Sequence, residues 1–374
     1  MITAGDNVAV YHDGGGQSQY HFNMLKEVKF DRHRHYYEGA DSFEQFLKTE
    51  YPVKLAGFHI PFPVEQDWLD RLEQMYDQVD HIYLFSSELH SRIEDQLRSL
   101  DRPKITMFIN GIFRDPFEHA RVYPWMDWFS QVVHFYKNIQ PGFLEQHLEY
   151  GSKPLMFDAL LGAQREHRDF VYWFVSASLN KDLYYMTYYH RIDQRLDNNT
   201  RFDMDEPNIE IIPGGKLTHS VDRVFYYGHE LGLSQIVPLR IFNKTNYSIV
   251  AETNFSNTYS FPTEKVVKPL MAGRLFVAIA GQHYLKNLHS FGFKTFDSII
   301  DESYDAEPDP KQRWSMAMQQ CEWLCLQDPA LILEQVKPIA DHNKKLIFRH
   351  NWYGSFRTNF EREILSQLEH LKLK

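Results

Sequence analysis

The run Phe261-Pro262-Thr263-Glu264-Lys265-Val266-Val267-Lys268 gathers the groups of this chain best suited to holding an anion. Thr263 has the side chain of a helix N-cap, so the spacing predicts a helix that begins at Glu264 and presents backbone N–H groups at its start. A helix N-terminus favours negative charge, and a lysine in the first turn adds a cation to that field. Together they suit a diphosphate leaving group, whose charge grows as its bond breaks. Lys265 is the expected phosphate ligand, with Lys268 one turn further on. Glu264, an acceptor when ionised, suits the two hydroxyls of a ribose. Glu252, which closes the preceding apolar run, joins the expected donor-binding set. The plainer reading is a capped helix start with Lys265 in solvent.

Transfer from such a donor needs a base for the acceptor proton. Asp13 is the first candidate because it ends the first apolar run directly before Gly14-Gly15-Gly16, where a glycine turn lets a ligand approach the backbone. His59 and Glu38 follow. Gly14 and Gly15 are expected at the acceptor, and an Asp in an ordinary tight turn is the competing reading. The glycine run is not a GxGxxG fingerprint and no Walker lysine follows it, so nicotinamide and ATP readings lose their main support. His12, His21, His33 and His35 match no zinc spacing. Asp301, Glu302 and Asp305 read as a solvated acidic loop, and Cys321 and Cys325 as structural thiols on one helix face. Donor binding without a metal is expected.

The elements that position these residues follow from alternation of short apolar runs with helical patterns. Runs at 8–11, 53–60, 82–85 and 105–109 alternate with helix candidates at 42–50, 67–79 and 88–100. The pattern restarts after Gly151-Ser152-Lys153-Pro154, with runs at 155–161, 183–189, 248–251, 275–280 and 346–348. Strand–helix–strand order is the signature of a parallel sheet. The expected fold class is α/β, with an N-terminal Rossmann-like acceptor domain over 1–150 and a C-terminal Rossmann-like nucleotide-sugar domain over 151–357. Residues 192–216, polar and turn-rich, read as an inserted loop or ribbon. Residues 358–374 read as an amphipathic helix packing back on the first domain. Two doubly wound domains facing each other place the chemistry in a cleft at the carboxyl ends of their strands.

Thr263-Glu264-Lys265, followed by Lys268, Ala272-Gly273 and Leu275-Phe276-Val277-Ala278, resembles the donor-site motif of the α-1,3-fucosyltransferases. The resemblance implies a GT-B fold, with the glutamate on ribose and the lysine on the phosphates. Arg165-Glu166-His167-Arg168-Asp169-Phe170 resembles the segment carrying that family's phosphate-binding arginine, which implies Arg168 first and Arg165 second. The wider run through Tyr284-Leu285, Phe291-Gly292-Phe293-Lys294-Thr295-Phe296 and Asp301-Glu302-Ser303-Tyr304-Asp305 resembles glycosyltransferase-like proteins of tailed phages over residues 153–352. The implied donor is a nucleotide-diphosphate sugar, with UDP, GDP or another carrier left open.

The phage resemblance implies two acceptors, a hydroxymethylated pyrimidine in DNA or a saccharide. The formal charge of -10 and sequence pI near 6.0 count against a polyanion partner. Two basic-aromatic stretches count for it, residues 31–37 and Arg349-His350-Asn351-Trp352-Tyr353-Gly354-Ser355-Phe356-Arg357, in which Arg349 could track phosphates and Trp352 could stack on a flipped base. DNA is the preferred expectation and a saccharide the alternative, with a non-catalytic nucleotide-sugar-binding protein as the reading from another class. No apolar run reaches the roughly 18 residues of a membrane span, and the first residues lack a signal-peptide pattern. A cytoplasmic protein, monomeric or weakly dimeric and without membrane partners, is expected.

Overall fold

Apolar runs too short for helices and rich in β-branched and aromatic residues become strands buried on both faces, as parallel sheets require. The computed structural model describes residues 8–13, 34–39, 42–51, 53–60, 66–86, 97–178, 180–188, 208–214 and 222–372. It is a mixed α/β fold with two parallel sheets. The chain divides into two compact units, one of Met1–Trp125 with Tyr353–Lys374, the other of Met126–Trp352.

The first unit holds β1 (Val8–His12), β2 (Arg34–Glu38), β3 (Val53–His59), β4 (His81–Ser86), β5 (Ile105–Asn110), the short β6 (Ile112–Phe113) and β7 (Arg121–Trp125). Six of these strands form an all-parallel sheet in the order β2-β1-β3-β4-β5-β7. Helices α1 (Phe43–Leu47) and α2 (Gln66–Tyr76) serve one face, where the Tyr11 ring meets those of Phe43, Phe46 and Phe58, and Phe58 meets Trp68 edge-on. The alternate residues Val8, Val10, Leu55, Tyr83, Phe85 and Phe108 form a core with Phe356, Phe360 and Ile364 from the C-terminal helix. That helix therefore belongs to the first unit although it ends the chain.

The second unit opens with α3 (Asp127–His134) and α4 (Phe143–His147), then β8 (Leu155–Leu161), α5 (Glu166–Ala177) and β9 (Tyr184–Tyr188). A three-stranded antiparallel ribbon follows, β10 (Ile209–Ile211), β11 (Arg223–Tyr226) and β12 (His229–Gly232), then α6 (Leu239–Phe242), β13 (Thr245–Ala251), the short β14 (Tyr259–Ser260) and α7 (Glu264–Ala272). The remainder is β15 (Phe276–Ile279), α8 (Tyr284–Ser290), α9 (Pro310–Cys325) and α10 (Pro329–Arg349), before α11 (Trp352–Lys372) returns to the first unit. The parallel sheet runs β15-β13-β8-β9.

Several expectations change. The boundary between compact units falls at Trp125, not near residue 150, because Phe129, Val132, Phe135 and Phe143 are buried in the core of the second unit. The run 346–348 is no strand; it lies in α10, which Asp328 caps and whose buried Ile332, Val336, Ile339, Asn343 and Ile347 recur at helical spacing. Periodicity over three residues cannot separate the two. Residues 34–38, read as part of a basic-aromatic patch, are the edge strand β2. The expected insert is a ribbon where it is described, and residues 189–207 and 215–221 lie outside the described residues, as do 88–96 of the helix expected at 88–100. Among the described residues no helix is long and apolar enough to cross a membrane.

Candidate functional site

Strand order locates the crevices. In the second unit β9 lies on one side of β8 while β13 and β15 lie on the other, so the sheet reverses direction between β8 and β13. Open α/β sheets bind ligands outside the carboxyl ends of the strands at such a reversal. The first unit has the same feature between β1 and β3.

At the carboxyl end of β13, Glu252 is fully buried. Its carboxylate accepts from Thr263 N at 3.1 Å, Thr263 Oγ1 at 2.7 Å, Thr253 N at 3.1 Å and the Tyr284 hydroxyl at 2.7 Å. Its carbonyl accepts from His167 Nε2 at 2.6 Å and Arg168 Nη2 at 3.1 Å. One residue thus ties the end of β13 to the starts of α5, α7 and α8. Burial pushes its carboxyl pKa up, opposed by Lys265 and by the hydrogen bonds from Thr263 and Tyr284. Burial and the adjacent Arg168 hold His167 well below the ordinary histidine range, so it is neutral and donates to the carbonyl. Glu252, expected to touch the donor, has its carboxylate turned wholly to the protein and positions the helix start instead.

Thr263 caps α7 through a bond from Lys265 N to its hydroxyl at 3.2 Å. Lys265 Nζ pairs with Glu264 and donates to Thr253 Oγ1 at 2.9 Å. Glu264 and Lys268 are each 7% exposed. Burial pushes the Glu264 carboxyl up, yet Lys265 and Lys268 outweigh it and hold the group below the usual carboxylate range. The loop after β8 brings the arginines. Arg168 is 3% exposed, and its guanidinium donates to Ala163 O at 2.7 Å and to Glu252 O. Burial, then the neighbouring Arg165, pull its pKa down to about 10, so it stays charged at neutral pH. Arg165 is half-buried at the N-cap position of α5 and is the more accessible of the two, the reverse of the order implied by resemblance.

Arg165, Arg168, Lys265 and Lys268 thus gather around one crevice with the buried carboxylates Glu252 and Glu264, and Glu166 and Asp169 lie in the first turn of α5. Burying like charges is costly, and a dianion relieves that cost. Beneath the first turn of α7 a cavity has about 60 Å³ open to the centres of water-sized molecules. Asp158 lines it and pairs with buried Arg274 at 2.8 Å, while Thr245 and Ser248 also donate to the carboxylate. Arg274 spends its other donors on the carbonyls of Phe242, Thr245 and Tyr247, which makes this ion pair a satisfied structural element. Gly281, just beyond β15, permits the loop after Glu252 to approach: a Cβ there would lie 1.9 Å from Ser256 O.

At the reversal of the first sheet, Asp13 follows β1 and accepts from His59 N at 3.0 Å. His59 Nδ1 bonds Ile60 O at 3.0 Å, and a carbonyl only accepts, so Nδ1 carries the hydrogen and the neutral ring keeps its lone pair on Nε2. Burial pulls the His59 pKa down. The sheet therefore brings Asp13 and His59 together. Glu38 closes neighbouring β2, and Gly14 and Gly15 lie outside the described residues.

Comparison with models of known families, with curated proteins and with solved structures finds no match. Function rests on geometry.

The remaining candidates are placed elsewhere. Trp352 stacks on Phe293 with centroids 5.5 Å apart, meets Phe129 edge-on and donates Nε1–H to Ile347 O, so its ring is occupied in packing. Arg349 is exposed at the end of α10. The 301–305 segment is no solvated acidic loop. Asp301 caps its own turn, Glu302 accepts from Thr295 Oγ1 and Phe296 N, and Asp305 accepts from Leu285 N and Lys286 N at the start of α8. Cys321 is buried, and Cys325 lies 3.9 Å from the Tyr184 hydroxyl. His21 and His33 lie outside the described residues, among which no group of three or more His, Cys, Asp or Glu could hold a metal. Sequence reading missed His167 and Tyr284 as partners of Glu252; only the burial of their elements could have pointed to them.

Proposed function

We propose that this chain is a glycosyltransferase of the GT-B type that takes its sugar from a nucleotide-diphosphate donor. The observation that carries the reading is the gathering of Arg168, Lys265 and Lys268 beside the capped start of α7 at the β8/β13 reversal, with Glu252 tying that start to the end of β13. Arg165 and Lys265 hold the diphosphate, Arg168 fixes the loop that carries Arg165, and Glu264 takes the ribose hydroxyls. In the transfer the acceptor oxygen forms a bond to the anomeric carbon as the carbon–phosphate-oxygen bond breaks. The diphosphate leaves with the electron pair, and the acceptor proton passes to a base. The Asp13–His59 pair is that base in this reading, and a single displacement inverts the anomeric centre.

The acceptor is proposed as a saccharide hydroxyl, with a hydroxymethylated pyrimidine in duplex DNA as the second reading. The packing of Trp352 and Phe356 favours this order, since these two rings of the basic-aromatic stretch are held in cores. The experiment is release of nucleoside diphosphate from UDP- and GDP-linked sugars in the presence of oligosaccharide or of hydroxymethylcytosine DNA. Turnover with either acceptor supports glycosyl transfer and chooses between them. Donor binding with no release under any condition replaces it with a nucleotide-sugar-binding protein.

A further inference from the structure

The cavity beneath α7 differs in chemistry from the crevice above it. Thr187 on β9 and Ser234 before α6 both line it, are 2% and 6% exposed, and have hydroxyls that find no hydrogen-bond partner among the described residues. Buried polar atoms are normally paired, so two unpaired hydroxyls at one cavity mark a place where a ligand supplies the partner. The rest of the lining is largely apolar, with Leu161 and Ile249 from the sheet, Phe242 from α6 and Pro269 from α7. The carboxylate of Asp158 at the same wall is already neutralised by Arg274. The cavity thus offers apolar surfaces and two groups that can donate or accept, with the charged Glu264, Lys265 and Lys268 of α7 along one wall.

Its size narrows the ligand further. About 60 Å³ of such space holds roughly four to six waters at about 10–15 Å³ each. That is the room of one six-membered ring with its ring substituents. A sugar would leave many hydroxyls against apolar walls, whereas a planar heterocycle has apolar faces and polar edges. We propose that this cavity binds the nucleobase of the donor and selects a pyrimidine over a purine, with Thr187 and Ser234 reading its polar edge. The inference rests on the reading of the crevice as a diphosphate site: the diphosphate lies on the cations at the mouth and the uncharged base in the slot.

Calorimetric titration of the full chain with UDP, CDP, GDP, ADP and inorganic pyrophosphate tests it, on wild type, Lys265→Ala and the Thr187→Val/Ser234→Ala double variant. UDP or CDP is expected to bind wild type about tenfold or more tighter than GDP or ADP. The double variant is expected to lose about tenfold for the pyrimidine nucleotide while keeping its pyrophosphate affinity. Its unliganded melting temperature should stay equal or rise, because an unpaired buried hydroxyl is replaced by an apolar group. A fall in that temperature shows the hydroxyls to be structural and overturns the inference. So does Lys265-dependent binding that favours purines or ignores the double substitution, in which case the diphosphate reading stands alone. Absence of binding by every nucleotide and by pyrophosphate overturns both.

Discussion

The two parallel sheets reverse direction in the same way, yet their crevices differ in charge and in rigidity. In the second unit the reversal is built around a fully buried carboxylate with four donors on it, surrounded by Arg165, Arg168, Lys265 and Lys268. In the first, the half-buried Asp13 accepts from the His59 backbone N–H, and burial pulls the His59 pKa down. One topology thus yields a helix start tied down by a buried carboxylate among cations and, in the other unit, a carboxylate beside a histidine. Strand order says where a ligand sits. The side chains at the strand ends say what it is.

The largest contrast should appear in turnover. Asp13→Asn and His59→Gln are each expected to slow sugar transfer by about 10²–10⁴ with donor affinity unchanged, as loss of a base does. Transfer rates within about threefold of wild type for both variants would remove the first unit from the chemistry. Stability should show the reverse contrast. Glu252→Gln places an amide N–H₂ among groups that all donate, and is expected to cost about 2–4 kcal/mol in urea unfolding, whereas Asp13→Asn should cost about 1 kcal/mol or less. Equal losses would mean that the second crevice is no more tightly built than the first.

Affinity sharpens the assignment of cations. Arg165→Ala and Lys265→Ala should each weaken nucleoside diphosphate binding about tenfold or more, since each removes a charge-assisted contact to phosphate, and Lys265→Ala should also lower the melting temperature because it leaves the buried Glu264 without its ion-pair partner. Arg168→Ala should also lower stability, because its guanidinium clamps the carbonyls of Ala163 and Glu252. Calorimetry and thermal melting on the three variants separate these roles, and a stable Arg168 variant would contradict its role as a clamp.

The smallest effect is in pH dependence. His59 has a folded-state pKa below its unfolded value near 6.5, so the unfolded chain takes up the proton first as pH falls. Its contribution to stability is complete above pH 6.5 and is lost as pH drops through the depressed folded-state value. Unfolding midpoints of wild type and His59→Gln should therefore converge as pH falls from 6.5. Parallel curves would show that burial leaves His59 unperturbed.

Much of the second crevice was legible in the chain itself. Thr263, Glu264 and Lys265 announce a capped helix start because capping is a local rule that acts within three residues. The strands at 8–11, 105–109 and 155–161 were legible because their apolar runs are bounded by turns. The 346–348 run and the edge strand at 34–38 were misread for two reasons: three apolar residues fit a helix face as well as a strand, and an edge strand carries polar groups on its open side. The boundary near 150 failed because Phe129, Val132 and Phe143 show by their spacing only that they are buried, and not in which core.

The sequence by itself determined the alternation that makes an α/β chain, the helix that starts at Thr263, and the residue types available to an anion, since all three depend on neighbours along the chain. Tertiary structure decided the rest. It set the strand orders that bring Arg165 and Arg168 to the end of β13 and Asp13 beside His59. It turned Glu252 inward onto Thr263 and Tyr284, and left Thr187 and Ser234 unpaired at one cavity. Those contacts join residues far apart in the chain, where only the packing of whole sheets against helices decides which groups meet and which charges are buried together.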